Sequence, residues 1–313
     1  VNPDVFSTWL RGQGHHVVRT ASSYWHDRGP RAYQAFPYHW VVNIPRSELD
    51  DFFSQTGAIG LRYSTPVEAP NGKISYHAVY EDSYYDMGVL GKWSRKNVRR
   101  GLARCTVEPI SFQRLIEDGW HLQVDTLDRQ GRDVTVTKQM WHRRWHLAAE
   151  LPGFQAWGAL IDGQLAASVV TFLMNDCAYM LDQQCLRNWL PMHVNNALSF
   201  VVTQNMVRHS QAASILYGLH SLDAPPTVDE FKFRMGYEAK PVRQRAVFHP
   251  RLAVLFNRFS HAALIQARRW RPSSPTLAKA EGMVRFYLEG RRPLSQQTWP
   301  QGLADQQATL LHS

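Results

Sequence analysis

The chain has 313 residues, of which 44% are hydrophobic and 19% charged, with 11 Trp, 12 Tyr and 14 Phe. That is enough apolar material to bury a core, far from the compositions of disordered chains, and too long a chain for a small disulfide scaffold. The formal net charge is +9, but residues 1–239 carry 23 Lys+Arg and 23 Asp+Glu, whereas residues 240–313 carry 12 against 3. The excess belongs to the C-terminal stretch, where it suits contact with phosphate on RNA, a membrane surface or a nucleotide-linked substrate, or simply an arginine-rich solvated helix. Cys105, Cys177 and Cys185 are an odd number with no C-x-x-C spacing, which points to a reducing compartment and away from structural zinc. No stretch is apolar enough for a membrane span, and the first residues lack a basic-then-apolar signal pattern, so the expected location is cytoplasmic.

From Phe36 to about Ile110, apolar runs alternate with turn signals, predicting a helix over Ser47–Gln55 and strands at Gly60–Ser64 and Lys73–Tyr80. After Asp118-Gly119 the pattern predicts a strand over Trp120–Leu127 and a helix from Asp133 to Glu150, closed by Leu151-Pro152-Gly153. Phe154–Ile161 and Leu165–Leu173 flank Asp162-Gly163, the dipeptide that favours a type I′ hairpin turn, and Ala178–Asp182 adds a third strand. Because Leu165–Leu173 is apolar on both faces, it reads as a covered central strand. Pro191 stands at a first helical position, with Val194, Ala197, Leu198 and Val201 forming one apolar face down to about His209. Ser214–Leu219 reads as a strand, Thr227 and Glu230 as a capping box for a helix ending near Gly236, and Pro241–Phe248 as the closing strand. Leu252, Leu255, Phe256 and Phe259 open an amphipathic helix, Ser274-Pro275 opens another ending near Gly290, and the Gln-rich end from Ser295 is expected to be disordered.

Three segments follow in order: Leu90-Gly91-Lys92-Trp93-Ser94-Arg95-Lys96-Asn97-Val98-Arg99-Arg100-Gly101-Leu102, the run Phe154–Ala167, and Asp229-Glu230-Phe231-Lys232-Phe233-Arg234-Met235-Gly236. They resemble, respectively, the basic helix, the meander and the Phe-Lys helix of FemAB-like acyltransferases of the GNAT superfamily. The resemblance covers about residues 36–250. It implies an α/β fold with a mixed sheet, built as tandem GNAT-like units: an N-terminal unit over 1–115, an acyltransferase unit over 116–250, and a basic helical extension over 251–313. It also implies acyl-CoA or aminoacyl-tRNA as donor, with the pyrophosphate of a CoA donor resting on the N-terminus of the helix that follows two splayed central strands. Here that terminus is Met192, His193 and Val194, preceded by Arg187 at the family's basic loop position. Leu190 and Met192, however, stand where the family loop has small residues.

Acyl transfer to an amine needs an unprotonated nucleophile, a group to hold the developing oxyanion and a proton for the leaving group. Lys232, at the family's Phe-Lys position, is the expected cation. Asp182, His220 and Asp223 lie at ends of predicted strands, where ligands of open α/β sheets gather, and are the candidate proton acceptors. Tyr217, mid-strand, is a candidate donor to the leaving group or a packing residue. Arg95, Arg99 and Arg100, with Lys92, Lys96 and Arg104, form a cationic stripe for a phosphate-bearing substrate or a solvated face, with Trp93, Val98 and Leu102 expected inside. His142 and His146 share a helix face, but neither a following Glu nor a third ligand accompanies them, so no metal is expected.

The activity this implies is transfer of an acyl group from acyl-CoA to an amine of a cell-wall, polysaccharide or other small-molecule precursor, without a covalent enzyme intermediate. The alternatives are an aminoacyl-tRNA-dependent transferase, with tRNA as partner, and a non-catalytic binding protein on the same scaffold. The oligomeric state is not legible in the sequence.

Overall fold

The computed structural model describes residues 1–222 and 226–312. In chain order the elements are α1 (Pro3–Gly12), β1 (Val17–Arg19), β2 (Tyr24–Gly29), β3 (Ala32–Phe36), α2 (Arg46–Thr56), β4 (Gly60–Thr65) and β5 (Lys73–Tyr80). They continue with α3 (Lys92–Leu102), β6 (Thr106–Ile110), α4 (Phe112–Arg129), α5 (Lys138–Glu150), β7 (Phe154–Ile161), β8 (Gln164–Met174) and β9 (Cys177–Cys185). Last come α6 (Val194–His209), β10 (Ser214–Leu219), α7 (Pro226–Arg234), β11 (Glu238–Phe248), α8 (Pro250–Ala253), α9 (Arg258–Trp270), α10 (Pro275–Glu289) and α11 (Gln307–His312). The chain is thus mixed α/β, and its contacts separate two units, each assembled from distant stretches.

The first unit comprises 1–14, 78–218 and 230–238. Its strands run β10-β9-β8-β7-β6, antiparallel except for the parallel β10–β9 pair. The β7–β8 turn is the one the sequence predicts: Asp162 and Gly163 both adopt positive φ, 49° and 78°, as a type I′ turn requires. One face of the sheet carries α6, with Val194, Ala197, Leu198 and Val202 fully buried against Ala159, Ala167, Val169 and Ala178. The other face is aromatic: Phe6 and Trp9 of α1 pack on Phe154 and Phe172, and Trp9 also on Trp145.

Four expectations fail in instructive ways. Residues 120–127 form part of the long helix α4, not a strand: Leu115, Ile116, Gly119, Leu122 and Thr126 make one buried helical stripe, and the Ser111 hydroxyl accepts the Arg114 N–H at 3.1 Å. The alternating pattern that imitates a strand there is the flank of this stripe. The following helix starts at Lys138, capped by Thr137, rather than at Asp133. Pro191 lies in a 3₁₀ turn over Arg187–Met192, and α6 begins only after His193. In α3 the buried side is Ser94, Asn97, Val98 and Gly101, leaving Trp93 and Leu102 exposed, with the Arg234 guanidinium 5.2 Å over the Trp93 ring.

The second unit comprises 15–77, 219–229 and 239–313. Its strands run β1-β2-β3-β4-β11-β5, with β3–β4 parallel and β4–β11 antiparallel. Helix α2 closes a core of Trp25, Tyr33, Leu49, Phe52, Phe53 and Tyr63. The Gln-rich end is ordered, contrary to expectation: Leu303 is fully buried, and the Gln297 side chain accepts the Ile74 N–H and donates to the Gly72 carbonyl. A glutamine amide both accepts and donates, so one side chain ties this segment to a backbone N–H and a backbone carbonyl. No helix among the described residues is long and apolar enough to cross a membrane.

Candidate active site

The first unit contains a parting between two parallel strands. β10 and β9 pair at Ser214↔Cys177, Ile215↔Ala178 and Leu216↔Tyr179, and no further, although β9 continues to Cys185. Immediately beyond the last pair, β9 bulges. Thr171 of β8 faces Met180, while its neighbour Val170 faces Asp182, leaving Leu181 as the extra residue. The bulge reverses the alternation of side chains, so Gln183 lies on the α6 face with Met180, and Asp182 turns to the opposite face.

Gln183 therefore joins Tyr217, which follows the last paired residue of β10. The Tyr217 hydroxyl donates to Gln183 Oε1, and Gln183 Nε2 donates to Asn195 Oδ1 at 2.7 Å and to Ser199 Oγ at 2.8 Å, both on α6. Tyr237 meets the Tyr217 ring edge-on at 4.9 Å. The Lys232 ammonium lies 5.5 Å from the centre of the Tyr217 ring, with its residue only 8% exposed, and a Cβ at Gly218 would come within 3.8 Å of it. Burial raises the Tyr217 phenol well above its ordinary value, so it carries its proton throughout the neutral range and can act as a donor.

Asp182 has a different role. Its carboxylate meets the Arg144 guanidinium of α5 at 2.6 Å, on the side away from Gln183. His220 belongs to the second unit, where it stacks on Tyr76 at 4.7 Å and shares a 3.1 Å hydrogen bond with Ser75, while Tyr76 donates to Asp229 at 2.7 Å. Burial pushes His220 down to about 4. Asp223 lies outside the described residues.

Several groups of the loop before α6 are already engaged. The Arg187 N–H donates to Asp125 at 2.7 Å, its guanidinium to Asp125 and Asp128 of α4, the Trp189 N–H to Leu186, and the His193 N–H to Leu190. His193 adopts a left-handed conformation (φ 61°) and caps α6. Burial and the nearby Arg100 both lower its pKa. Met192 is exposed and Val194 is fully buried, so Val194 can offer a ligand only its backbone. Helix α3 reaches this helix terminus because residue 101 is glycine: a Cβ there would collide with the His193 carbonyl and lie 2.9 Å from Ala197 Cβ. Lys92, Arg95, Lys96, Arg99 and Arg100 line one open cationic recess on α3.

No group of three or more His, Cys, Asp or Glu among the described residues is arranged to hold a metal. The thiols are buried; burial pushes Cys177 up to about 11 and Cys185 to about 12, which leaves them protonated and poor nucleophiles.

No protein-family model matches the sequence, and no curated protein is similar to it at a significant level. Solved structures are. FemX superposes with a TM-score of 0.54 at 9% identity, over 80% of this chain and 92% of its own. The C-terminal domain of a protein described as a lysylphosphatidylglycerol synthetase from Agrobacterium fabrum gives 0.54 at 14% identity, over 80% and 89%. The fold is FemAB-like. The first unit thus holds two parted strands, with a helix following the first of them. Gln183, Asn195 and Ser199 were not legible as site residues; the polar run Asp182-Gln183-Gln184 at the end of an apolar strand was the one available signal.

Proposed function

We propose that this protein is an acyltransferase that moves an acyl or aminoacyl group to an amine by direct attack, with the reaction centred where β9 and β10 part. The observation that carries the reading is the convergence of a nearly buried ammonium, Lys232, and a phenol held in its protonated form, Tyr217, beside that parting. The acceptor nitrogen attacks the donor carbonyl, a C–N bond forms, and the bond to the leaving oxygen or sulfur breaks. Lys232 supplies the positive charge for the oxyanion, and Tyr217, turning its O–H from Gln183 to the leaving atom, supplies the proton to the leaving group. On balance, one proton passes from the attacking nitrogen to the leaving atom.

For the donor, the engaged groups of the loop before α6 favour an aminoacyl ester on tRNA over acyl-CoA. The N–H groups of Arg187, Trp189 and His193 are already engaged, Arg187 is held by two carboxylates, and Leu190 and Met192 stand where a pyrophosphate would need close backbone approach. The cationic recess on α3, with Arg99 and Arg100, offers the tRNA phosphates a surface. Acyl-CoA is the second reading, supported by the unpaired edge of β9, where a pantetheine arm could pair. The acceptor, under either reading, is an amine-bearing envelope or small-molecule precursor.

Thermal unfolding in the presence of bulk tRNA or acetyl-CoA, at low and high salt, separates these readings, because a ligand that binds only the folded state raises its stability. A salt-sensitive shift with tRNA that weakens in R99S/R100S is expected. A saturable shift with acetyl-CoA alone would establish the second reading, and no shift with either would leave a non-catalytic binding protein.

A further inference from the structure

Among the described residues, the three most exposed large apolar side chains lie on or just before one basic helix in the second unit. Val254 and Leu255, just before α9, are 77% and 59% exposed, and Phe259 and Trp270 on α9 are 87% and 78% exposed. Phe259 and Trp270 are eleven positions apart, about three helical turns, so they project from one side of α9 and stand roughly 16 Å apart along its axis. Ala262, Ala263 and Gln266 complete the exposed stripe between them. The inner side is accounted for: Phe256 stacks on Phe248 at 3.8 Å, and His261 and Arg268 both reach Glu281 of α10, at 2.9 Å and 2.8 Å.

The charge around this stripe is of one sign. No Asp or Glu occurs between Glu238 and Glu281, whereas Arg251, Arg258, Arg269 and Arg271 flank or punctuate the apolar positions as exposed cations. We propose that α9 and the turn before it form a docking surface for an anionic lipid bilayer, with Phe259 and Trp270 entering the interface and the arginines facing lipid phosphates. A helix with an aromatic-tipped apolar side and an arginine-rich border has the composition of an interfacial helix. RNA would use the arginines but leaves Val254 and Leu255 without a role. The surface does not depend on the transferase reading.

The test is co-sedimentation of the intact protein with phosphatidylcholine vesicles, with and without phosphatidylserine. Binding is expected only to the anionic vesicles, weakening with salt, and reduced about tenfold or more in F259S/W270S and in R269Q/R271Q. All four side chains are exposed, so unchanged circular dichroism melts will show that the variants are folded. R99S/R100S should retain binding, which separates this surface from the α3 recess. The proposal is overturned if the protein stays in the supernatant, if F259S/W270S binds as well as the parent, or if these residues instead drive concentration-dependent self-association or RNA binding.

Discussion

Met180 and Asp182 are two positions apart on one strand yet lie on opposite faces of the sheet, because Leu181 is bulged between them. That single extra residue delivers Gln183 to Tyr217 and Asp182 to Arg144. D182A should therefore cost about 1 kcal/mol of stability or less, as expected for a partly exposed ion pair, with turnover per folded molecule unchanged. Denaturant titration and an activity assay on the same preparation check both halves.

Tyr217 and Gln183 should behave as donor and orienter. Y217F is expected to lower kcat by about 10²–10³ with the fold intact, since the ring packing against Tyr237 is preserved. Q183L should give a smaller loss in the same direction, because the phenol remains but loses its fixed orientation. Steady-state kinetics at several pH values would show whether the missing proton is the cause.

Lys232 carries the charge at the reaction centre. K232M should reduce kcat by about 10²–10³, and K232R should recover part of it by keeping the charge in a different geometry. Equal activity of K232M and the parent would remove Lys232 from the chemistry.

Gly101 permits α3 to touch the start of α6. G101A should destabilise the protein by about 1–3 kcal/mol, since the neighbour it meets is backbone and cannot rotate away. A fall in Tm of the purified variant is the expected reading.

The second unit should confer a pH dependence on stability. Arg62 donates to Gln244 at 3.0 Å and Gln244 to Ser64 at 2.6 Å, and the Ser64 hydroxyl shares a 2.7 Å hydrogen bond with His77 Nε2. Burial pushes His77 down to about 3 and His220 to about 4. Both folded values lie below the unfolded value of ~6.5, so this stability is fully present above that pH. It declines as pH falls from ~6.5 towards 4, and for His77 on towards 3, by on the order of 1 kcal/mol per pH unit per histidine. Urea midpoints at successive pH values should follow this slope, and H77Q should flatten it.

Local chemistry was legible in the sequence wherever one residue type determines the outcome. Asp162-Gly163 specified its turn, and the resemblance and the strand pattern single out Lys232 and Tyr217, which the fold brings to 5.5 Å of each other. What depended on partners distant in sequence was not legible. The strand-like pattern at Trp120–Leu127 becomes a helix because its buried stripe faces the sheet, and a bulge such as that at Leu181 exists only relative to the strand beside it. The sequence groups His220 with Asp182 and Asp223 from its place after a strand, whereas its hydrogen bond and ring partners, Ser75 and Tyr76, lie in the second unit. Glutamines near the C-terminus read as disorder by composition, yet Gln297 is buried by the backbone groups it satisfies.

The most direct test of the account is transfer of a labelled amino acid from charged bulk tRNA to a panel of primary amines (lysine, spermidine and a lysine-bearing peptide), followed by mass spectrometry of the amide product. Parent protein, Y217F and K232M would be compared, with acetyl-CoA as the parallel donor. The account predicts an amide product from the parent, reduced by about a hundredfold or more in both variants. Product formed equally by all three proteins would contradict it, as would its absence with both donors.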